Sequence, residues 1–162
     1  MVIKSELLYE GRLFRLEYRD CDSFDELPRE LITQVYGVCF LGDQLLIVHN
    51  GKKDTWGFAG GTTEPGETIE QTLVREVREE SNMRVISWQP IGYQIVTSPN
   101  GVVQYQLRVY CQIEKLGEFE GDPGGVVDKI ELVSPNRVKR YFDWHEIGDR
   151  IVERALEIHA SR

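Results

Sequence analysis

Gly60-Gly61-Thr62-Thr63-Glu64-Pro65-Gly66-Glu67 runs without a break into Thr68-Ile69-Glu70-Gln71-Thr72-Leu73-Val74-Arg75-Glu76-Val77-Arg78-Glu79-Glu80-Ser81-Asn82-Met83. The first half is a loop by composition. Paired glycines and a Pro65-Gly66 turn free the backbone to take positive φ and to approach a ligand with no Cβ in the way. The second half is a helix. Acidic side chains near its start suit the unpaired N–H groups there, and good helix formers carry it from within a residue or two of Glu67 to about Ser81. At 3.6 residues per turn, Ile69, Leu73 and Val77 form one apolar stripe. Glu76, Glu79 and Glu80 fall within an arc of about 100° beside that stripe.

Like charges at these spacings repel by a few tenths of a kcal/mol each. Arg75 and Arg78 offset part of this, and hard divalent cations with oxygen ligands offset it more fully. Taken alone, Glu-x-x-Glu-Glu also describes a solvated acidic face. The surrounding residues separate the two readings. Gly61, five residues, Glu67, seven residues and then Arg75-Glu76-Val77-Arg78-Glu79-Glu80-Ser81-Asn82-Met83 resembles the signature of the Nudix hydrolases. Asn82 stands where that family usually has glycine, and asparagine tolerates the same left-handed helix end. Trp56-Gly57-Phe58-Ala59 resembles the family's lead-in, with Ala59 in place of a common proline.

The resemblance implies that Glu76, Glu79 and Glu80 are metal ligands and catalytic groups. It also implies a backbone carbonyl of Gly60 or Gly61 as a further ligand, and Mg2+ as cofactor with Mn2+ as a substitute. Bound there, the ion would neutralise phosphate oxygens and lower the pKa of an attacking water. Glu67 and Arg75 are expected to pair with each other as a structural brace, since a planar guanidinium matches a carboxylate bidentately. A direct role with substrate is the other option. Glu114, Glu118, Glu120, Asp122, Asp128 and Glu131 are open as general bases, because distance to the water decides that role. Trp56, at a polar loop edge, is the aromatic expected to touch substrate. Phe58, Tyr93 and Tyr105 could stack on a base as well, but aromatics in strands are more often core. His49, His145 and His159 share no ligand spacing and read as surface or internally satisfied. Pro99 lies about as far beyond the motif as a proline of ADP-ribose-cleaving members, and Ser98-Pro99-Asn100-Gly101 is equally an ordinary hairpin turn.

The 162 residues suit one domain, residues 1–162, with a real core. Net charge is −8, which disfavours nucleic acid duplexes and anionic membranes, where affinity rests on Lys and Arg. Cys21, Cys39 and Cys111 are scattered and odd in number, indicating neither a disulfide frame nor a zinc site and suiting a reducing cytoplasm. No segment reaches the 18 or so apolar residues of a membrane span.

Outward from the motif, Gly11 to Asp22 reads as a half-exposed strand, and Asp20 to Arg29 as loop or short helix. Leu31 to Leu41 and Leu45 to His49 read as a hairpin at the sheet centre. Val85 to Trp88, Ile91 to Thr97 and Val102 to Ile113 read as strands, with a hairpin turn at 98–101. Glu114 to Gly125 reads as a mobile loop, Val126 to Val133 as a strand and Glu146 to Ala160 as a packing helix. This order gives an α/β arrangement with one mixed sheet. The resemblance implies a Nudix-like α/β/α sandwich, a nucleotide-type small-molecule substrate and a homodimer as a frequent assembly. The expected function is metal-dependent cleavage of a pyrophosphate bond in a nucleoside di- or triphosphate-linked compound. Its rival is a Nudix-like module that binds nucleotides without hydrolysing them.

Overall fold

A computed structural model describes residues 1–162. Nine strands build one sheet: β1 (Val2–Tyr9), β2 (Arg12–Asp20), β3 (Ile32–Leu41), β4 (Gln44–Asn50), β5 (Thr55–Gly57), β6 (Ala59–Thr62), β7 (Met83–Thr97), β8 (Val103–Lys115) and β9 (Val127–Val133). Two helices, α1 (Ile69–Ser81) and α2 (His145–Ala160), pack on it, and short 3-10 turns occupy Arg29–Leu31 and Pro135–Arg140. The strand order is β1-β2-β7-β8-β3-β4-β5, with β6 paired to β3 and β9 to β4. The β3–β8 pair is parallel and the others are antiparallel, so the sheet is mixed as expected.

Period-2 alternation assigns the two faces. Val35, Cys39, Leu107, Val109 and Cys111 point towards Leu73 and Val77 of α1 in one core. Val38, Phe40, Tyr110, Ile147, Ile151 and Ala155 form the other, under α2. The sheet is therefore sandwiched between helices, the α/β/α layering expected. All three cysteines are free thiols, and no helix is long and apolar enough to cross a membrane.

The observed elements refine the sequence reading. Residues 85–97 form part of one long strand, bent by irregularities between Val85 and Ser87 and between Pro90 and Gly92. The β3–β4 hairpin pairs Leu41 with Gln44, so Gln44 belongs to a strand. An amino-terminal strand, β1, extends the sheet beyond β2. Its alternation is hidden because nearly all of its residues are exposed.

Candidate active site

The glycine loop holds its shape through close contacts that any side chain would break. A Cβ on Gly60, which sits at φ +153, would lie 2.3 Å from the Val35 carbonyl oxygen and 2.6 Å from Tyr36 Cα. A Cβ on Gly61 would lie 2.6 Å from Glu76 Oε1. Gly60 is thus required by the β3 backbone at Val35 and Tyr36, whereas a side chain at Gly61 would make the Glu76 carboxylate move aside.

Helix α1 begins with a capping box: Thr68 Oγ1 accepts from the Gln71 N–H while Gln71 Oε1 accepts from the Thr68 N–H. It ends at Asn82 in the left-handed conformation, φ 54 and ψ 43, as its stand-in for glycine requires. The Asn82 side chain then donates to the Glu118 carbonyl at 2.9 Å, tying the helix end to the loop after β8.

Arg75 meets Glu67 through two hydrogen bonds, 2.7 Å from Nε and 2.9 Å from Nη2, and also donates to the Thr62 carbonyl. Those donors hold the Glu67 carboxyl down at about 2, with the Arg75 hydrogen bonds the largest cause. Arg75 Nη1 reaches Glu76 at 3.0 Å and Glu79 at 3.5 Å. One guanidinium thus ties the loop to the helix and partly neutralises two of the three acids.

Glu80 is treated differently. It is 8% exposed, accepts one hydrogen bond from the Gly60 N–H at 2.8 Å, and no Lys, Arg or His pairs with it. Desolvation pushes its carboxyl up to about 8, against the Gly60 hydrogen bond, and the charges of Glu76, Asp122 and Glu79 add to the rise. Burial likewise raises Glu76. Of the six later acids, Asp122 is the one whose charge bears on both Glu76 and Glu80. Its carboxylate is fixed by the N–H groups of Gly124 and Val127. Sequence spacing does not single it out, since the intervening loop has no regular register.

As placed, these oxygens do not converge: no three acidic or imidazole side chains are close enough to ligate one ion. Glu76 is turned to Arg75 and Glu80 to Gly60. The donor set nevertheless suits a hard divalent cation, because an all-oxygen cluster with a desolvated, unpaired carboxylate stays charged only beside a compensating positive charge.

The other singled-out residues sit elsewhere. Trp56 packs against His49 and Tyr141, ring centroids 5.0 and 5.2 Å away, with Lys129 Nζ over its ring at 5.6 Å. His49 is buried and clamped between Asp128 at 2.6 Å and Asp54 at 2.8 Å, so it is satisfied internally. His159 bridges Tyr110 and Asp43, and His145 is exposed. Tyr93 and Tyr105 stack on each other at 5.7 Å. Pro99 lies in the hairpin turn closed by the Gly101 N–H on the Ser98 carbonyl.

A mixed sheet between two helices sets an acidic helix edge beside a double-glycine loop, so that carboxylates and open backbone lie next to each other. Comparison with known proteins gives the family: the NUDIX domain model matches residues 32–155, and the chain belongs to the NUDIX domain family. It is similar to the mouse (Mus musculus) 8-oxo-dGDP phosphatase NUDT18, 26% identical over 70% of this chain and 37% of that protein. It is similar to the putative 8-oxo-dGTP diphosphatase YtkD of Bacillus subtilis, 32% identical over 58% of this chain and 59% of that protein. The chain thus spans less than two thirds of the curated relatives it matches. Among solved structures, the Bacillus subtilis pyrophosphohydrolase BsRppH superposes with TM-score 0.71 over 94% of this chain and 96% of that one. At 22% identity this likeness speaks to the fold.

Proposed function

We propose that this chain, acting as a single domain, is a Mg2+-dependent pyrophosphohydrolase of nucleoside di- or triphosphate-linked compounds, with Mn2+ able to substitute. One observation carries the reading: Glu80 is a buried carboxylate with three acidic neighbours and no cationic partner. A protein that only folds has no use for that arrangement, since burying a carboxyl beside three acids is costly enough to push its pKa up to about 8. The family and the names of the relatives, which act on nucleotides, support the same class.

Glu76, Glu79 and Glu80 would hold the metal, with a Gly60 or Gly61 carbonyl joining them after the carboxylates turn from their present partners. When bound, the ion supplies charge neutralisation on phosphate oxygens and a lowered pKa for the attacking water. The remaining work falls to the chain itself. The Glu67–Arg75 pair fixes the loop on the helix, and Gly60 and Gly61 keep the backbone open for phosphate. Asp122, anchored by the Gly124 and Val127 N–H groups, would accept the water's proton. The three free thiols accord with a reducing cytoplasm.

The test is a panel of nucleotides, nucleotide sugars, dinucleoside polyphosphates and capped RNA, incubated with Mg2+ or Mn2+ and assayed for released phosphate or pyrophosphate. Wild-type protein should hydrolyse at least one, and Glu79→Gln should lose turnover by about a hundredfold or more while folded. Tight nucleotide binding with no metal-dependent release would instead make the chain a binding module.

A further inference from the structure

The opposite face of the sheet carries a second buried charge. Arg108 on β8 is 4% exposed and no carboxylate pairs with it. Burial lowers its guanidinium to about 10. Nη1 donates to the Leu107 carbonyl and Nη2 to Gln106 Oε1, both at 3.2 Å, while Nε has no partner. The rings of Tyr36 and Trp144 flank it at 5.1 and 5.6 Å.

Beside Arg108, three amides lie in register across neighbouring strands: Gln34 on β3, Gln106 on β8 and Gln94 on β7. Gln106 Oε1 accepts from both Gln94 Nε2 and Arg108 Nη2, so Gln106 Nε2 faces outward as a donor without a protein partner. The patch thus carries two unused donors beside two aromatic rings: Arg108 Nε, which is buried, and Gln106 Nε2.

The patch adjoins the acid cluster through Tyr36. Arg108 pairs in register with Tyr36, and Tyr36 with Gly60, whose N–H holds Glu80. The backbones of Arg108 and Gly60 are thus two strand spacings apart, about 10 Å, and the charges of Arg108, Glu80 and Glu76 all bear on Tyr36 between them.

We infer that Arg108, supported by Gln106, is a specificity-determining residue that reads the acceptor edge of a guanine-type base, with Tyr36 and Trp144 against its rings. A guanine presents two adjacent acceptors, O6 and N7, to a guanidinium, whereas adenine presents a donor in place of O6. The inference rests on the hydrolase reading for where the diphosphate lies, but its measurement does not require turnover.

Guanosine and adenosine 5′-(α,β-methylene)diphosphates, which resist cleavage at that bond, are titrated by calorimetry with and without Mg2+. Wild-type protein should prefer the guanosine analogue, and Arg108→Lys should reduce that preference about tenfold or more while leaving the adenosine affinity unchanged. Gln106→Leu, at a half-buried position, should reduce it in the same sense and serves if Arg108→Lys does not fold. Equal affinities in the wild type, or an equal drop for both analogues in the variants, would overturn the inference, the latter assigning Arg108 to phosphate. Absence of metal-dependent phosphate release alongside an intact guanosine preference would sink the hydrolase reading alone.

Discussion

Glu80 on α1 and His49 on β4 are both buried ionisable side chains, and their surroundings are opposite. His49 has an acid on each ring nitrogen, so its charge is balanced within the fold. Asp54 and Asp128 face solvent on their outer sides, 93% and 55% exposed. Glu80 has one backbone N–H and three acids nearby. A fold that satisfies a charge internally is using it to hold the loop at residues 51–54 against β9. A fold that leaves one desolvated and outnumbered has a group whose ionised form a bound cation would balance, which is the role proposed for Glu80.

The sharpest way to break this contrast is to neutralise each group in turn. Glu80→Gln keeps an oxygen for the Gly60 N–H and removes the ionisable group. We expect turnover to fall by a thousandfold or so, with the melting temperature unchanged or raised, since an unfavourable desolvation is relieved. His49→Gln should do the reverse: stability falls by about 1 kcal/mol and kcat is held. If Glu80→Gln also unfolds the protein, Glu80 is a structural residue and the contrast fails.

A middle-sized effect concerns pH and metal. The folded Glu80 carboxyl titrates at about 8, above its unfolded value near 4.3. Between those values the folded state holds a proton that the unfolded state has released, so stability falls as pH rises through the window. In EDTA, thermal melts between pH 5 and pH 8.5 should record a loss on the order of 1–3 kcal/mol. Saturating Mg2+ should abolish most of that slope, because metal binding favours the ionised form. A slope indifferent to Mg2+ would show that no ion meets Glu80.

Much of this contrast is legible in the amino-acid sequence. The glycines, the helix, its left-handed end at Asn82 and the Glu67–Arg75 pairing follow from local chemistry, where neighbours in sequence are neighbours in space. Sequence places His49 only in a class, surface or satisfied, because its partners lie 79 and 5 residues away. Arg108 belongs to no motif, although its place in Gln-Leu-Arg-Val-Tyr-Cys holds a usable signal. It shares the alternation of Tyr110, so an inward arginine follows once that strand is recognised as central. Asp122 is one of six equivalent acids in the sequence, and only folding of the loop after β8 brings it towards Glu76 and Glu80.

The smallest effect tests the satisfied side of the comparison. Hydrogen bonds to Asp128 first and Asp54 second raise the His49 imidazole above its ordinary value. A raised histidine stabilises fully below its unfolded pKa of about 6.5 and loses that contribution as pH climbs through the folded value. This slope has the same sign as that of Glu80 but a different origin, so Mg2+ should leave it in place. Asp54→Asn should shrink it slightly, because Asp54 is nearly all in water and its pairing is screened. Asp128→Asn should shrink it more, through loss of the shorter bond. Both variants, melted in Mg2+ between pH 6 and pH 8.5, should differ only slightly from wild type in the slope of melting temperature against pH. A larger change from Asp54 than from Asp128 would mean that His49 is held chiefly by the loop and not by β9, and that the internal balance inferred for it is wrong.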